Sequence, residues 1–135
     1  MKRLRNKKGE GYIDTCVGIV WFVMVLVVAI NIFSFITLKQ EMDEIADELI
    51  ETASYTGCFG GAFWMRDDEL MTEYFYYDIE TSASKYYNET YKRVQLGDTM
   101  TVKIYVDTYI KGLGIFKIHV RLQVTKSQVS EKYWK

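Results

Sequence analysis

The sequence has no proline, one histidine and two cysteines among its 135 residues. Each scarcity removes a class of explanation. Without proline, nothing in the N-terminal half compels a helix to stop or kink. A zinc site takes three or four N, S or O ligands, and one histidine with two distant cysteines makes no conventional cluster. Two cysteines are no disulfide framework either. On a continuous helix Cys16 and Cys58 stand roughly 60 Å apart at 1.5 Å per residue, whereas a bridge needs Cα atoms within about 7 Å. Cys58 is therefore a plain free thiol or a bridge between two subunits. Cys16 precedes the apolar run, which is the wrong side for lipid attachment after signal removal.

Net charge is also close to nil, at −1, but its distribution is uneven. The first fifteen residues carry five Lys/Arg against two Asp/Glu, and residues 39–135 carry twelve against sixteen. No basic face gathers in the C-terminal part, which excludes nucleic acid as an expected partner. The polarity matches membrane topology instead. Residues 15–38 read TCVGIVWFVMVLVVAINIFSFITL without a charge. Such a run is long enough for a hydrocarbon core of about 30 Å, which takes about 20 helical residues. In residues 1–10 before it, Lys2, Arg3, Arg5, Lys7 and Lys8 stand against Glu10 alone. Positive flanks stay in the cytoplasm, so the N-terminus is expected inside and residues 39–135 outside. The run exceeds the 7–15 residues of a cleavable signal core, and its exit at residues 34–39 has no A-x-A-like site. A retained single-pass anchor in the cell membrane is expected.

The chain then divides into a basic tip with a candidate processing junction (1–14), a transmembrane helix (15–38) and a small α+β domain (39–135). Leu38, Met42, Ile45, Leu49 and Ala53 recur at steps of four, three, four and four, with Glu41, Asp43, Glu44, Asp47, Glu48 and Glu51 between them. That spacing predicts an amphipathic continuation of the membrane helix to about Thr56, near 43 residues and about 64 Å in all. Its stripe packs on the protein's own sheet or on a second copy as a coiled coil. Gly57, Gly60 and Gly61 read as a loop, and Asp67-Asp68-Glu69 as the solvated start of a second helix. The stretch from there to about Tyr91 reads as helical or irregular and is dense in tyrosine, a half-buried packing face or a recognition surface.

The last third alternates. Val102, Ile104 and Val106 oppose Lys103, Tyr105 and Asp107; after Lys111-Gly112-Leu113-Gly114, Phe116, Ile118, Val120, Leu122 and Val124 oppose Lys117, His119, Arg121 and Gln123. These are two strands of an antiparallel hairpin with one wet face. A short strand at residues 92–96 is expected to complete a three-stranded meander, whose dry face receives the helical stripe.

No catalytic, metal or cofactor site emerges, and the chain is expected to be no enzyme. His119 alternates with two cations on a wet strand face. The glycines at 57, 60 and 61 lack the lysine and the strand–helix context of a phosphate loop. Asn88-Glu89-Thr90 matches a glycosylation sequon, a pattern common by chance.

The junction at Lys7-Lys8-Gly9-Glu10-Gly11-Tyr12-Ile13-Asp14 is more specific. A basic stretch ends in glycine, and an acidic residue lies five positions beyond, just before the apolar run. This resembles the processing junction of type IV pilin-like proteins. The resemblance implies that a prepilin-type peptidase cuts after Gly9, that Glu10 carries the new amine, and that Asp14 pairs with the amine of the next subunit. A carboxylate at the edge of hydrocarbon calls for such a partner. Two departures stand out: the family's usual glutamate is Asp14 here, and Glu10 is acidic where an apolar or small residue is usual. The alternative makes Gly9 and Gly11 flexible linkers and Asp14 a helix N-cap.

The layout of basic tip, junction, single span, amphipathic continuation, small sheet and terminal residues 130–135 (SEKYWK) is similar to short TadE-like pseudopilins. More narrowly, it resembles an uncharacterised group of small single-span proteins associated with conjugative elements of Gram-positive bacteria. That kinship implies a structural subunit of a secretion, pilus or conjugative transfer apparatus. Its partners are then the lipid bilayer and other pilin-like subunits, itself among them. Asn31, Ser34 and Thr37, spaced by three on one face of the span, are candidate helix–helix contacts, unless Ser34 and Thr37 bond back to their own helix. The rival reading keeps the helix as a tether and gives residues 74–91 a recognition role toward cell wall or a protein partner.

Overall fold

A single helix, α1 (Lys7–Thr56), runs through 50 residues and about 75 Å. The computed structural model describes residues 7–112 and 116–135; Lys2, Arg3 and Arg5 of the tip and Leu113-Gly114 of the expected turn lie outside them. With α1 beginning at Lys7, Gly9 and Gly11 are helical and Asp14 lies two turns inside. They are therefore neither linkers nor cap. A second helix, α2 (Gly61–Glu73), precedes three strands: β1 (Asp78–Ala83), β2 (Thr99–Gly112) and β3 (Phe116–Val129). The sheet is antiparallel in the order β1-β2-β3. The architecture is the expected α+β arrangement.

The C-terminal half of α1 lies on this sheet. Met42, Ile45, Leu49 and Ala53 are fully buried, as are Met100, Val102 and Ile104 of β2, and Val124 of β3 joins them. The stripe thus packs on the protein's own sheet. β2 and β3 run alongside the helix axis, and three contacts set their register. Near the Thr99↔Val129 pair, Ser54 Oγ donates to the Val129 carbonyl at 2.6 Å. Lower down, Lys126 Nζ reaches Asp47 at 3.1 Å and Asp43 at 3.7 Å. Lower still, Thr108 and Tyr109 face Asn31, Ser34, Phe35 and Leu38 across a small cleft.

Two elements depart from the sequence reading. The third strand is Asp78–Ala83, not residues 92–96. Its alternation is half-buried Ile79, Thr81 and Ala83 against exposed Asp78, Glu80 and Ser82. Only Ile79 is strongly apolar, as befits a short edge strand. Residues 92–96 instead cross the C-terminal end of α1. The Val94 N–H donates to the Gly57 carbonyl at 2.8 Å, Val94 is buried, and Arg93 only bridges Cys58 and Asn88. Likewise α2 starts at Gly61 rather than at Asp67. Phe59, Phe63, Asp67 and Leu70 form one buried row, so the acidic residue sits inside the helix's packed face.

The C-terminal residues strap this end of the molecule. Trp134 Nε1 donates to the carbonyls of Gly57 (3.2 Å) and Val94 (3.1 Å), while the Gln95 side-chain amide holds both backbone groups of Trp134. Arg93 lies over the Trp134 ring at 4.4 Å and the Tyr91 ring at 5.1 Å. Gly57 has φ +66°, and a Cβ there would collide with the Lys132 side chain. Glycine at this helix exit follows from both conditions.

Candidate functional site

The functional candidate is α1 itself, because its two halves live in different surroundings. From Gly11 to Ile30 every position but the half-buried Val27 is exposed. Trp21 is 67% exposed and Phe22 64%, and no residue of the most apolar stretch is buried. Leaving one such side chain in water forgoes about 1.5–3 kcal/mol relative to burial. An apolar surface on all sides of a helix marks a membrane span or a buried core, and among the described residues only Val27 of this stretch is even half-covered. It is a candidate membrane anchor or signal sequence.

At the N-terminal end, Gly9 and Glu10 lie in the first turns of α1, and Asp14 follows one turn after Glu10 as an exposed residue. Thr15 Oγ1 donates to the Gly11 carbonyl at 2.7 Å. Cys16, exposed, and Cys58, half-buried, are both free thiols at opposite ends of the helix.

The polar triplet is satisfied within its own helix. Asn31 Nδ2 donates to the Val27 carbonyl (2.8 Å), Ser34 Oγ to Ile30 (3.0 Å) and Thr37 Oγ1 to Phe33 (3.1 Å). Asn31 and Ser34 also line the cleft beneath Thr108 and Tyr109, so their face of the helix turns toward the hairpin.

In the body, aromatic residues divide between packing and surface. Tyr77 is buried and Tyr86 half-buried, while Tyr76 (79%), Tyr91 (63%) and Tyr87 (50%) are exposed. No local pattern announces the pair formed by Tyr77 and Asp67. Tyr77 Oη donates to the Asp67 carboxylate at 2.8 Å inside the core. Burial pushes the Asp67 carboxyl above the usual carboxylate range, and the Tyr77 hydrogen bond partly counters it. Burial and the adjacent carboxylate push the Tyr77 hydroxyl well above its ordinary value. Both groups are buried, and their bond ties α2 to the chain entering β1.

His119 stacks edge-on to Tyr109 at 5.3 Å, with Nε2 3.6 Å from Asp107 Oδ1. Arg121 also binds Asp107, at 2.8 Å, and holds its carboxyl below the usual range. Among the described residues, no group of three or more His, Cys, Asp or Glu is arranged to hold a metal ion.

No curated protein and no solved structure matches the chain. A family model described as "Domain of unknown function (DUF4320)" matches residues 19–135, most of the exposed apolar stretch and the whole of the body. The chain therefore belongs to the DUF4320 family, a domain of unknown function.

Proposed function

We propose that this chain is a pilin-like, TadE-like single-pass membrane protein serving as a structural subunit of a secretion, pilus or conjugative transfer apparatus. The observation that carries the reading is the division of α1: its N-terminal half is bare and apolar, and its C-terminal half is the spine of a small α+β body. The N-terminus lies in the cytoplasm, where the five cations of the tip belong, and the body lies outside. The chain performs no catalysis on this reading and needs no cofactor.

Cleavage after Gly9 by a prepilin-type peptidase would make Glu10 the first residue of the helix. Its new amine is then one turn from Asp14 and free to pair with Asp14 of a neighbour. Intact mass of the membrane-extracted protein, made in a host with its native peptidase, tests this directly. A mass starting at Glu10 supports assembly; a start at Met1, or loss of the initiator methionine only, removes the amine–Asp14 pairing. Helix association through Asn31, Ser34 and Thr37 is tested by replacing all three with leucine. If those groups bridge subunits at about 0.6–2 kcal/mol each, crosslinked oligomers decline, and unchanged crosslinking removes that contact.

The exposure of Tyr76, Tyr87 and Tyr91 favours a second reading, a tethered binding module facing cell wall or a protein partner. Binding of wall material by a monomeric fragment starting at Lys39 would favour it over assembly.

A further inference from the structure

The β2–β3 hairpin does not stop at the level where the charged part of α1 begins. Its strands descend along the helix from Ser54, past Asp47 and Asp43, to Asn31–Leu38, where Thr108 and Tyr109 meet it. Asn31 is seven residues before Leu38, about 10 Å further down the axis. The ladder continues three pairs beyond Tyr109↔His119 to Gly112↔Phe116, about another 10 Å. The hairpin end therefore stands beside helix residues of the uncharged run. A hydrocarbon core of about 30 Å starting next to Asp14 reaches roughly residue 34. Thr108 and Tyr109 sit at that boundary, and the last three ladder pairs run on below it.

Its residues suit that depth. Ile118 belongs to the same strand face as Leu122 and Val124 but is 57% exposed. Tyr109, 56% exposed, occupies the other face, as does exposed Lys117, whose ladder partner is Lys111. Residues 108–120 include Lys111, Lys117 and His119 and no carboxylate, whereas the helix above carries Asp43, Glu44 and Asp47. An apolar residue, a tyrosine and lysines in a stretch whose sequence has no carboxylate match an interface between acyl chains and anionic headgroups.

We propose that the end of the β2–β3 hairpin is a second membrane contact, seated in the headgroup–acyl boundary of an anionic bilayer beside the spanning helix. This rests on the reading of α1 as a membrane span. Ile118 enters the acyl side, Tyr109 lies at the boundary, and Lys117 meets lipid phosphates. Two contacts on one membrane fix the tilt of the body, which a single flexible tether would leave free.

The test uses the full chain in vesicles of phosphatidylcholine and phosphatidylglycerol, with Cys16→Ser and Cys58→Ser. Single cysteines at Ile118, at Val23 in the helix and at Ser82 on β1 are labelled with an environment-sensitive fluorophore. The label at 118 is expected to emit to the blue of that at 82 and to be quenched by lipids bearing a nitroxide near the headgroup. Lys117→Gln is expected to lower the ratio of seated to lifted hairpin roughly fivefold, the worth of one cation at such a surface. A water-like signal at 118 with a shielded signal at 23 overturns the seat and leaves the span intact. A water-like signal at 23 overturns the span, and this inference with it. Shielding at 118 without quenching by lipid places a second copy of the chain there and also overturns it.

Discussion

Residues 11–30 and 38–56 belong to one unbroken helix and have opposite fates. Past Asp14 the first segment is apolar on every side, and no described residue of it is buried; the second is apolar on one stripe, and that stripe is buried against the sheet. The hydrophobic effect acts on both, but only a stripe with polar flanks lets a small sheet satisfy it. An all-round apolar surface needs a surrounding medium. The charged residues between Glu41 and Glu51 therefore do more than dissolve the body: they restrict which face of the helix can be buried.

Paired truncations break this comparison most strongly. Leu49→Ala empties a fully buried site and is expected to cost the body about 2–5 kcal/mol. Leu26→Ala, on the exposed segment, is expected to change it by no more than about 0.5 kcal/mol. Denaturant unfolding in detergent, read by the tryptophans of the body, separates the two. Equal effects would mean that the N-terminal half is part of the same core.

Tyr77→Phe comes next. It takes from a buried carboxylate its one side-chain donor among the described residues, and hydrogen bonds to charged groups are worth about 1.5–3 kcal/mol. The pH dependence has a definite sign. Asp67 has a folded-state pKa above its unfolded one, so its stabilising contribution is fully present below the ordinary carboxylate pKa. That contribution is lost as pH rises through the folded value. Melting temperature should therefore gain a component on mild acidification from neutral pH, and Asp67→Asn should remove it. Asp107, shifted the other way, loses its contribution only at lower pH, as the pH falls through its depressed pKa. Gly57→Ala is expected to be the smallest of the destabilising changes, about 1–2 kcal/mol for a side chain in left-handed backbone. The Lys132 contact adds to it, and a shift in Trp134 fluorescence would report displacement of the strap.

How much of this was legible follows from what kind of signal each part leaves. The long helix, its stripe and the hairpin rest on periods of 3.6 and 2 that extend over many residues, so they were readable. The edge strand at Asp78–Ala83 was not, since Ile79 is its only strong apolar residue. Residues 92–96 carried the better alternation by accident: Val94 is buried by a loop crossing, and Leu96 is 54% exposed. Asp67 looked like a solvated helix start because its partner Tyr77 lies ten residues away and on another element. The strap joins Trp134 to Gly57 across 77 positions, and no local pattern announces such a contact. The level at which the hairpin meets the helix is likewise a property of tertiary packing alone.

On the proposed reading, one helix passes from lipid into a protein core. A cysteine scan of α1 in native membranes, with a membrane-impermeant thiol reagent added outside and Cys16 and Cys58 replaced, tests it most directly. No reaction is expected at Trp21, Val25 or Phe33, and reaction is expected at Glu44 and Tyr55 on intact cells. Labelling of Trp21 or Val25, or protection of Tyr55 until the cells are opened, would contradict it.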